Sequence, residues 1–288
     1  MSLGASPLPS QRHLFDIPDD VALVASHMDM ARAIRSTSKR RPSRVILAQH
    51  GAGQSYGGDP RSDHVAAYPG GAGNDAVGLF LVPNEHAAQR WRDRYPAAAV
   101  SVVGCPKLDT LPAREPGPGP VVALSFHWGP QFIPEVRSAL EWHRSGLRAL
   151  AEQFTVIGHA HPRRHNPAGL YRRLGIEFVP DFADVCRRAD VLVADNTSVL
   201  FEFASTGRPV VVMNAPWYRR DVTHGLRFWD ASTVGPQADQ PGELVDAVTR
   251  ALALDPADAS ARNDAVDLAY AYRTGAAQRA ADAIAAWL

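Results

Sequence analysis

Residues 189–214 constrain the fold more than any other part of this chain. Their sequence, ADVLVADNTSVLFEFASTGRPVVVMN, predicts a buried strand, a polar turn, a short helix, a Gly-Arg-Pro break and a second buried strand. Buried strands that alternate with helices are typical of a parallel sheet in an α/β protein. Ligands of such open sheets bind at the carboxyl ends of the strands, so we expect a binding site where the first strand ends.

Polar residues occupy the turn between that strand and the helix. Asp195, Thr197 and Ser198 fall where the helix begins, and free N–H groups with a positive dipole suit a phosphate there. Glu202 lies one helical turn beyond Ser198, where a carboxylate could bind a ribose attached to that phosphate. The turn therefore predicts a site for a nucleotide diphosphate. Helix capping by Thr197 or Ser198 and a surface position for Glu202 are the plain alternatives.

Strand and helix patterns alternate on both sides of a Pro- and Gly-rich linker at 112–120. Before the linker we predict strands at 21–26, 45–49, 77–83 and 99–103 and a helix at 85–95. After it we predict strands at 121–126, 154–158, 176–179, 190–195 and 210–213, and helices at 134–153, 181–188, 198–206 and from 242 onward.

The pattern predicts two Rossmann-like α/β domains that face a central cleft, where ligands often bind. Residues 1–114 form a short acceptor-side domain in this interpretation. Residues 115–288 form the domain that binds the nucleotide donor, and the last helices are expected to pack back on the N-terminal domain.

Composition excludes several classes of function. The formal net charge of zero provides no field that would recruit nucleic acid, and two cysteines are too few for a disulfide framework. The N-terminal residues lack the apolar core of a signal peptide, and no apolar run is long enough to cross a bilayer. We expect a cytoplasmic protein. Peripheral contact with the inner face of the membrane and formation of a homodimer are left open.

The glycine-rich loop PGGAGN at 69–74 is not followed by Lys-Ser/Thr, so it is not a P-loop.

Several histidines stand at predicted strand ends. His50 follows the strand VILAQ and precedes Gly51, and an imidazole that titrates near neutral pH is suited to proton transfer. A histidine that only ends the strand is an equal alternative. His159 and His161 follow the strand FTVIG, and Arg163 comes next; cationic groups at a strand end suit a diphosphate.

Other strand ends carry weaker signals. A zinc site built from His159, His161 and His165 is disfavoured, because Pro162 interrupts regular geometry and no Cys or Asp completes the set. We expect no metal and no cofactor other than the donor. Ser125 and His127, at the end of the first strand after the linker, could approach the same phosphates or form a plain turn.

The order of four motifs resembles the CDP-glycerol glycerophosphotransferases, the polymerases of teichoic acid type. QHGAG resembles their H-G-T element, GCPKLDTL their G-x-P-R-x-D-x-L element and HAHPRR their H-P element. Residues 189–214 resemble their A-D-x-L-I-T-D-Y-S-S-x-x-F-D segment with its later R-P. The resemblance extends over roughly residues 45–214 and implies the GT-B fold and a metal-independent transfer from a nucleotide-linked donor.

The resemblance also implies roles for individual residues. His50 takes the place of the catalytic base, with Gly51 beside it. His161, Arg163, Thr197 and Ser198 would bind the diphosphate, and Glu202 would bind ribose. Lys107 and Asp109 become secondary candidates, with a local ion pair at a hinge as their alternative, and His159 is a further secondary candidate. Asn196-Thr197 replaces Tyr-Ser and Lys107 replaces Arg, so a sugar nucleotide is as suitable a donor as CDP-glycerol.

We therefore predict a transferase that moves a sugar or polyol-phosphate group from a nucleotide-diphosphate donor to an acceptor hydroxyl. A nucleotide-sugar 2-epimerase is one alternative, although Asp59, Asp63 and Glu85 form no persuasive acid–base set. A catalytically silent nucleotide-binding protein is the other.

Overall fold

The computed structural model describes residues 21–25, 44–49, 51–52, 74–129, 137–161, 167–195, 197–218 and 233–288. The strands are β1 Val21–Val24, β2 Arg44–Ala48, β3 Leu79–Val82, β4 Ala99–Val102, β5 Val121–Phe126, β6 Thr155–Ala160, β7 Glu177–Phe178, β8 Val191–Ala194, β9 Val210–Met213 and β10 Gln237–Ala238. The α-helices are α1 Glu85–Arg94, α2 Leu140–His143, α3 Gly146–Gln153, α4 Ala168–Arg173, α5 Phe182–Arg188, α6 Val199–Ala204, α7 Leu244–Leu252, α8 Pro256–Ala269 and α9 Ala276–Trp287. Short 3-10 helices lie at Asn74–Ala76, Pro106–Thr110 and Pro241–Glu243.

The chain divides into two compact units. Unit 1 comprises Met1–Asp109 and Tyr270–Leu288, and unit 2 comprises Thr110–Ala269. The division falls at Thr110, slightly before the predicted boundary, because Arg114 already bonds to Asp190 of unit 2 through both carboxylate oxygens.

Unit 1 contains a four-stranded sheet in the order β1-β2-β3-β4, with every neighbouring pair parallel. One apolar cluster centres on the stacked rings of Phe80, Trp91 and Tyr95. A second cluster contains Ile46, Leu79 and Leu81, with α9 packed against it. A Cβ atom on Gly78 would lie 2.4 Å from the Trp287 ring, so this glycine allows α9 to approach the sheet closely.

Unit 2 contains a six-stranded parallel sheet in the order β10-β9-β8-β5-β6-β7. The chain starts at the centre with β5, builds outward through β6 and β7, and then crosses back to β8. Read from the other edge, this is the doubly wound 3-2-1-4-5-6 order of dinucleotide-binding sheets. The order reverses between β5 and β8, which the fold class makes the expected place for a ligand.

Most predicted elements agree with the structure to within one or two residues. The predicted helix at 134–153 is different, because its described part forms α2 and α3 with a turn at Arg144–Ser145 between them. The helix predicted at 198–206 is shorter in the structure, where the α-helix extends from Val199 to Ala204. The two-residue strand β10 was not predicted.

Candidate functional site

Buried polar side chains gather at the carboxyl edge of the unit 2 sheet, on both sides of the point where strand order reverses. Ser125 and His127 lie at and just beyond the end of β5, and Asp195 and Thr197 follow β8. None of these four residues is more than 8% exposed. Burying polar groups is costly unless they are hydrogen-bonded, so this edge is an organised polar structure within an otherwise apolar sheet.

Asp195 fixes the loop that follows β5. One carboxylate oxygen accepts the His127 N–H at 2.8 Å, and the other accepts the Ala139 N–H at 3.0 Å. The residue is 0% exposed. Both oxygens of Asp195 therefore bind backbone amides, which gives it a positioning role at the edge rather than an open face for a ligand.

Ser125 and His159 pair across the neighbouring strands β5 and β6. They are opposite each other in the parallel register, and the Ser125 Oγ lies 2.9 Å from the His159 Nδ1. The Tyr171 hydroxyl donates to the His159 carbonyl at 3.0 Å, and the His159 ring contacts Phe182. A Cβ atom on Gly158 would lie 2.4 Å from the Tyr171 ring, so α4 can approach β6 only because residue 158 is glycine.

Three rings lie close together just beyond the ends of β5 and β6. The ring centroids of His127 and His161 are 5.7 Å apart, and Trp128 lies 6.0 Å from His127 and 6.1 Å from His161. The His161 N–H also donates to the Phe126 carbonyl, which ties the end of β6 to the end of β5. The site thus brings His127 and His161 together, as the sequence predicts, and adds Trp128.

The turn after β8 begins with a hydrogen bond of 2.7 Å from the Thr197 N–H to the Asp195 carbonyl. Ser198 takes the N-cap position of α6, but its side chain makes no capping hydrogen bond. Ser198 is thus the N-cap residue by position. Glu202 lies on α6 and is 4% exposed, so the alternative of a plain surface residue is wrong.

Some predicted site residues lie elsewhere or outside the described residues. His50, Arg163 and His165 are among those outside. Gly51 is buried with a φ of 74°, in the left-handed region that favours glycine.

Lys107 and Asp109 belong to unit 1, not to the unit 2 edge. The two Asp109 oxygens accept the N–H groups of Ala276 and Ala277, so Asp109 caps the start of α9.

His143 is a buried group that sequence analysis did not identify. It is 0% exposed on α2, and its Nε2 lies 2.6 Å from the Asn214 carbonyl at the end of β9. Because a carbonyl only accepts, Nε2 carries the proton. Burial lowers the pKa of His143 and outweighs the Asn214 hydrogen bond and the nearby acids Glu243 and Asp239, which raise it. A buried neutral imidazole therefore fastens α2 to β9.

The family of the chain follows from a sequence comparison that covers this edge. The family model described as CDP-glycerol:poly(glycerophosphate) glycerophosphotransferase matches residues 134–286, more than half of the chain. The chain belongs to this family. The match includes β6, β8 and α6, and so most of the polar edge of unit 2. Comparison with curated proteins gives no match.

Solved structures of the same fold include the wall teichoic acid polymerase TagF and S. aureus MnaA in complex with UDP. A TagF structure soaked with CDPG has a TM-score of 0.60 at 12% identity and covers 93% of this chain and 71% of that one. The MnaA structure has a TM-score of 0.61 at 13% identity and covers 96% of this chain and 76% of that one. These likenesses and the two parallel sheets confirm the GT-B-like α/β class predicted from the sequence.

No described helix is long and apolar enough to span a bilayer. Within the same residues, no three His, Cys, Asp or Glu side chains come together as metal ligands. Independence from a metal stays a prediction.

Proposed function

We propose that this chain transfers a polyol phosphate from a CDP-linked donor to an acceptor hydroxyl. The observation that carries the proposal is the family match over residues 134–286, which includes the parts of the buried polar edge that β6, β8 and α6 contribute. A nucleotide-linked donor suits this edge, because it is the reversal point of a doubly wound sheet.

The donor diphosphate is assigned to the rim of this edge. His161 and the Thr197–Ser198 turn supply donors there, and Arg163 adds a cation two residues beyond His161. Asp195 and the Ser125–His159 pair hold the strand ends beneath. Glu202 is assigned to the donor ribose.

His50 is assigned the role of general base. It would remove the proton of the acceptor hydroxyl as that oxygen attacks the β-phosphorus of the donor. The bond from the β-phosphorus to the bridging oxygen breaks, and CMP leaves with the electron pair. Positive and N–H donors at the unit 2 edge would stabilise the charge on the departing phosphate.

The test is CMP release from CDP-glycerol in the presence of a glycerol phosphate oligomer as acceptor. We expect the wild type to release CMP. In His50→Ala the rate of CMP release should fall about 10²- to 10⁴-fold, which is the usual contribution of a general base. His50→Ala should bind CDP-glycerol as the wild type does. Full activity of His50→Ala would overturn the assignment of the base.

Parallel reactions test the other donors and functions. Turnover of UDP-sugars with no turnover of CDP-glycerol would contradict the CDP-linked donor. Conversion of UDP-N-acetylglucosamine without an acceptor would favour a 2-epimerase and contradict the transferase. Binding of CDP-glycerol with neither transfer nor hydrolysis would identify a silent nucleotide-binding protein.

A further inference from the structure

In unit 1, Asn84 connects the loop after β2 to the start of α1. Its Nδ2 donates to the Ala52 carbonyl at 2.9 Å, and its Oδ1 accepts the Ala87 N–H at 2.8 Å. The backbone of Asn84 is extended, as is usual for an N-cap residue, and the residue is 3% exposed. One buried amide group thus performs two separable tasks, helix capping through oxygen and loop attachment through nitrogen.

A second buried amide lies on the other side of the same loop. The Oε1 of Gln49 accepts the indole N–H of Trp91 at 2.9 Å, and the Gln49 backbone N–H donates to the Leu81 carbonyl at 2.9 Å. Trp91 is 1% exposed and stacks on Phe80 with ring centroids 4.2 Å apart. Gln49 is therefore attached to the apolar cluster that contains Phe80, Trp91 and Tyr95.

These two contacts hold the two ends of the segment 49–52. Gln49 is held by Trp91, and Ala52 is held by Asn84, with Gly51 in a left-handed conformation between them. Ala52 is 0% exposed, so its carbonyl depends on Asn84 for a polar partner among the described side chains. His50 itself lies outside the described residues, whereas Gln49, Gly51 and Ala52 are described.

We infer that Asn84, together with the Gln49–Trp91 pair, positions the chain segment that carries His50. Asn84 and Trp91 are positioning residues in this account, because they act through the backbone of the segment and through Gln49. The inference rests on the proposed function of His50 as the base. Small displacements of a reacting group are costly in catalysis, so loss of either attachment should lower the rate of the chemical step.

Asn84→Asp separates the two tasks of Asn84. The aspartate keeps an oxygen for the Ala87 N–H, but it has no N–H for the Ala52 carbonyl. Asn84→Ser makes the same separation without adding a charge, since serine is also a good N-cap. We expect both variants to lower kcat for CMP release about 10-fold or more, beyond any fall in folded fraction, with KM for CDP-glycerol close to the wild type. Both lose stability because the buried Ala52 carbonyl loses its donor, and Asn84→Ser loses less because it buries no charge.

Trp91→Phe tests the second attachment, because it removes the indole N–H while retaining an aromatic ring to stack on Phe80. Trp142→Phe is the matched control. Trp142 donates its indole N–H to the Asp239 carbonyl within unit 2. We expect Trp91→Phe to lower kcat and Trp142→Phe to leave it unchanged.

The outcomes separate this inference from the proposed function. If His50→Ala is inactive while Asn84→Asp, Asn84→Ser and Trp91→Phe all retain wild-type kcat, the positioning role is overturned and the base assignment stands. If the variants lose kcat only in proportion to a fall in folded fraction, their role is structural and the inference is again overturned. If His50→Ala is fully active, or the wild type shows no turnover, the proposed function fails and this inference fails with it.

Discussion

In each unit, a buried side chain just after one strand binds the loop that follows the neighbouring strand, but the chemical group differs. In unit 2, Asp195 follows β8 and binds the loop after the neighbouring strand β5. In unit 1, Asn84 comes soon after β3 and binds the loop after the neighbouring strand β2. One is a carboxylate that accepts two backbone N–H groups, and the other is an amide that donates to a carbonyl and accepts an N–H.

The difference concerns charge. A buried carboxylate needs strong donors and contributes more per hydrogen bond than a neutral amide does. A neutral amide suits a segment expected to carry a proton-transfer group, since it adds no fixed charge beside it. The comparison predicts that Asp195 matters more for folding and that Asn84 matters more for rate.

The largest effect on stability is expected for Asp195→Ala. The substitution leaves the His127 and Ala139 N–H groups buried without their acceptor, and should reduce the free energy of unfolding by about 3 kcal/mol or more. Urea denaturation measures this loss. The control is Asp181→Ala, which removes the exposed N-cap of α5 and should cost about 1 kcal/mol. Equal losses in the two variants would contradict the special role of Asp195.

Asn84→Ala should have the next largest effect. It removes a helix cap and the only described side-chain donor to the Ala52 carbonyl, for a combined cost of about 2 kcal/mol. The same urea experiment checks this value. Asn84→Ser should recover the part that belongs to the cap, and a serine variant no more stable than the alanine variant would contradict the division of tasks.

A pH-dependent effect is expected at His143, in unit 2. Burial lowers its folded-state pKa, so its contribution to stability is complete above the unfolded value of about 6.5 and is lost as pH falls through the lowered folded value. His143→Gln keeps an N–H for the Asn214 carbonyl but does not titrate. Unfolding measured at about pH 7.5 and about pH 5 should show a smaller acid loss in His143→Gln than in the wild type. An equal loss would contradict the assignment.

The smallest effect is expected at the start of unit 2, where Arg114 pairs with Asp190. The two side chains are 21% and 31% exposed, so solvent weakens the pair. Arg114→Ala should cost about 1 kcal/mol or less at neutral pH, and less still in high salt. A loss as large as that of Asp195→Ala would show that exposure is a poor guide to these contacts.

The Asp190 carboxyl gives the same pair a pH signature. Burial raises its pKa, but the hydrogen bonds from Arg114 and the Val121 N–H together lower it below the usual value. The stabilisation is present above the unfolded pKa of about 3.9 and disappears as pH falls through the lower folded value.

Sequence patterns were sufficient for the α/β alternation, because each strand is a short run of apolar residues and each helix has its own period. The strand at 210–213 has the predicted bounds. The predicted strand ends also place His127, His161 and the turn after β8 at one edge. Sequence patterns could not show that Asp195 binds Ala139, or that Asn84 binds Ala52, because those partners are distant in the chain and meet only through strand order. β10 was missed because two residues carry no period.

Asn84 did carry a local signal that could have been used. An Asn directly after a strand and before the helix EHAAQRWRDR is a typical N-cap. Its second contact, to the Ala52 carbonyl, could not be predicted from the sequence, because the two residues are 32 positions apart. The same holds for Asp109. The GCPKLDTL motif that contains it can be recognised in the sequence, but its partners at the start of α9 are distant in the chain.

Calorimetric titration of CDP-glycerol into the wild type and into His161→Ala tests the central claim, that the carboxyl edge of the unit 2 sheet binds a nucleotide-linked donor. We expect saturable binding to the wild type, weakened about 10-fold or more by loss of one charge-assisted contact to the diphosphate. The same affinity in both proteins, or no binding to either, would contradict the claim.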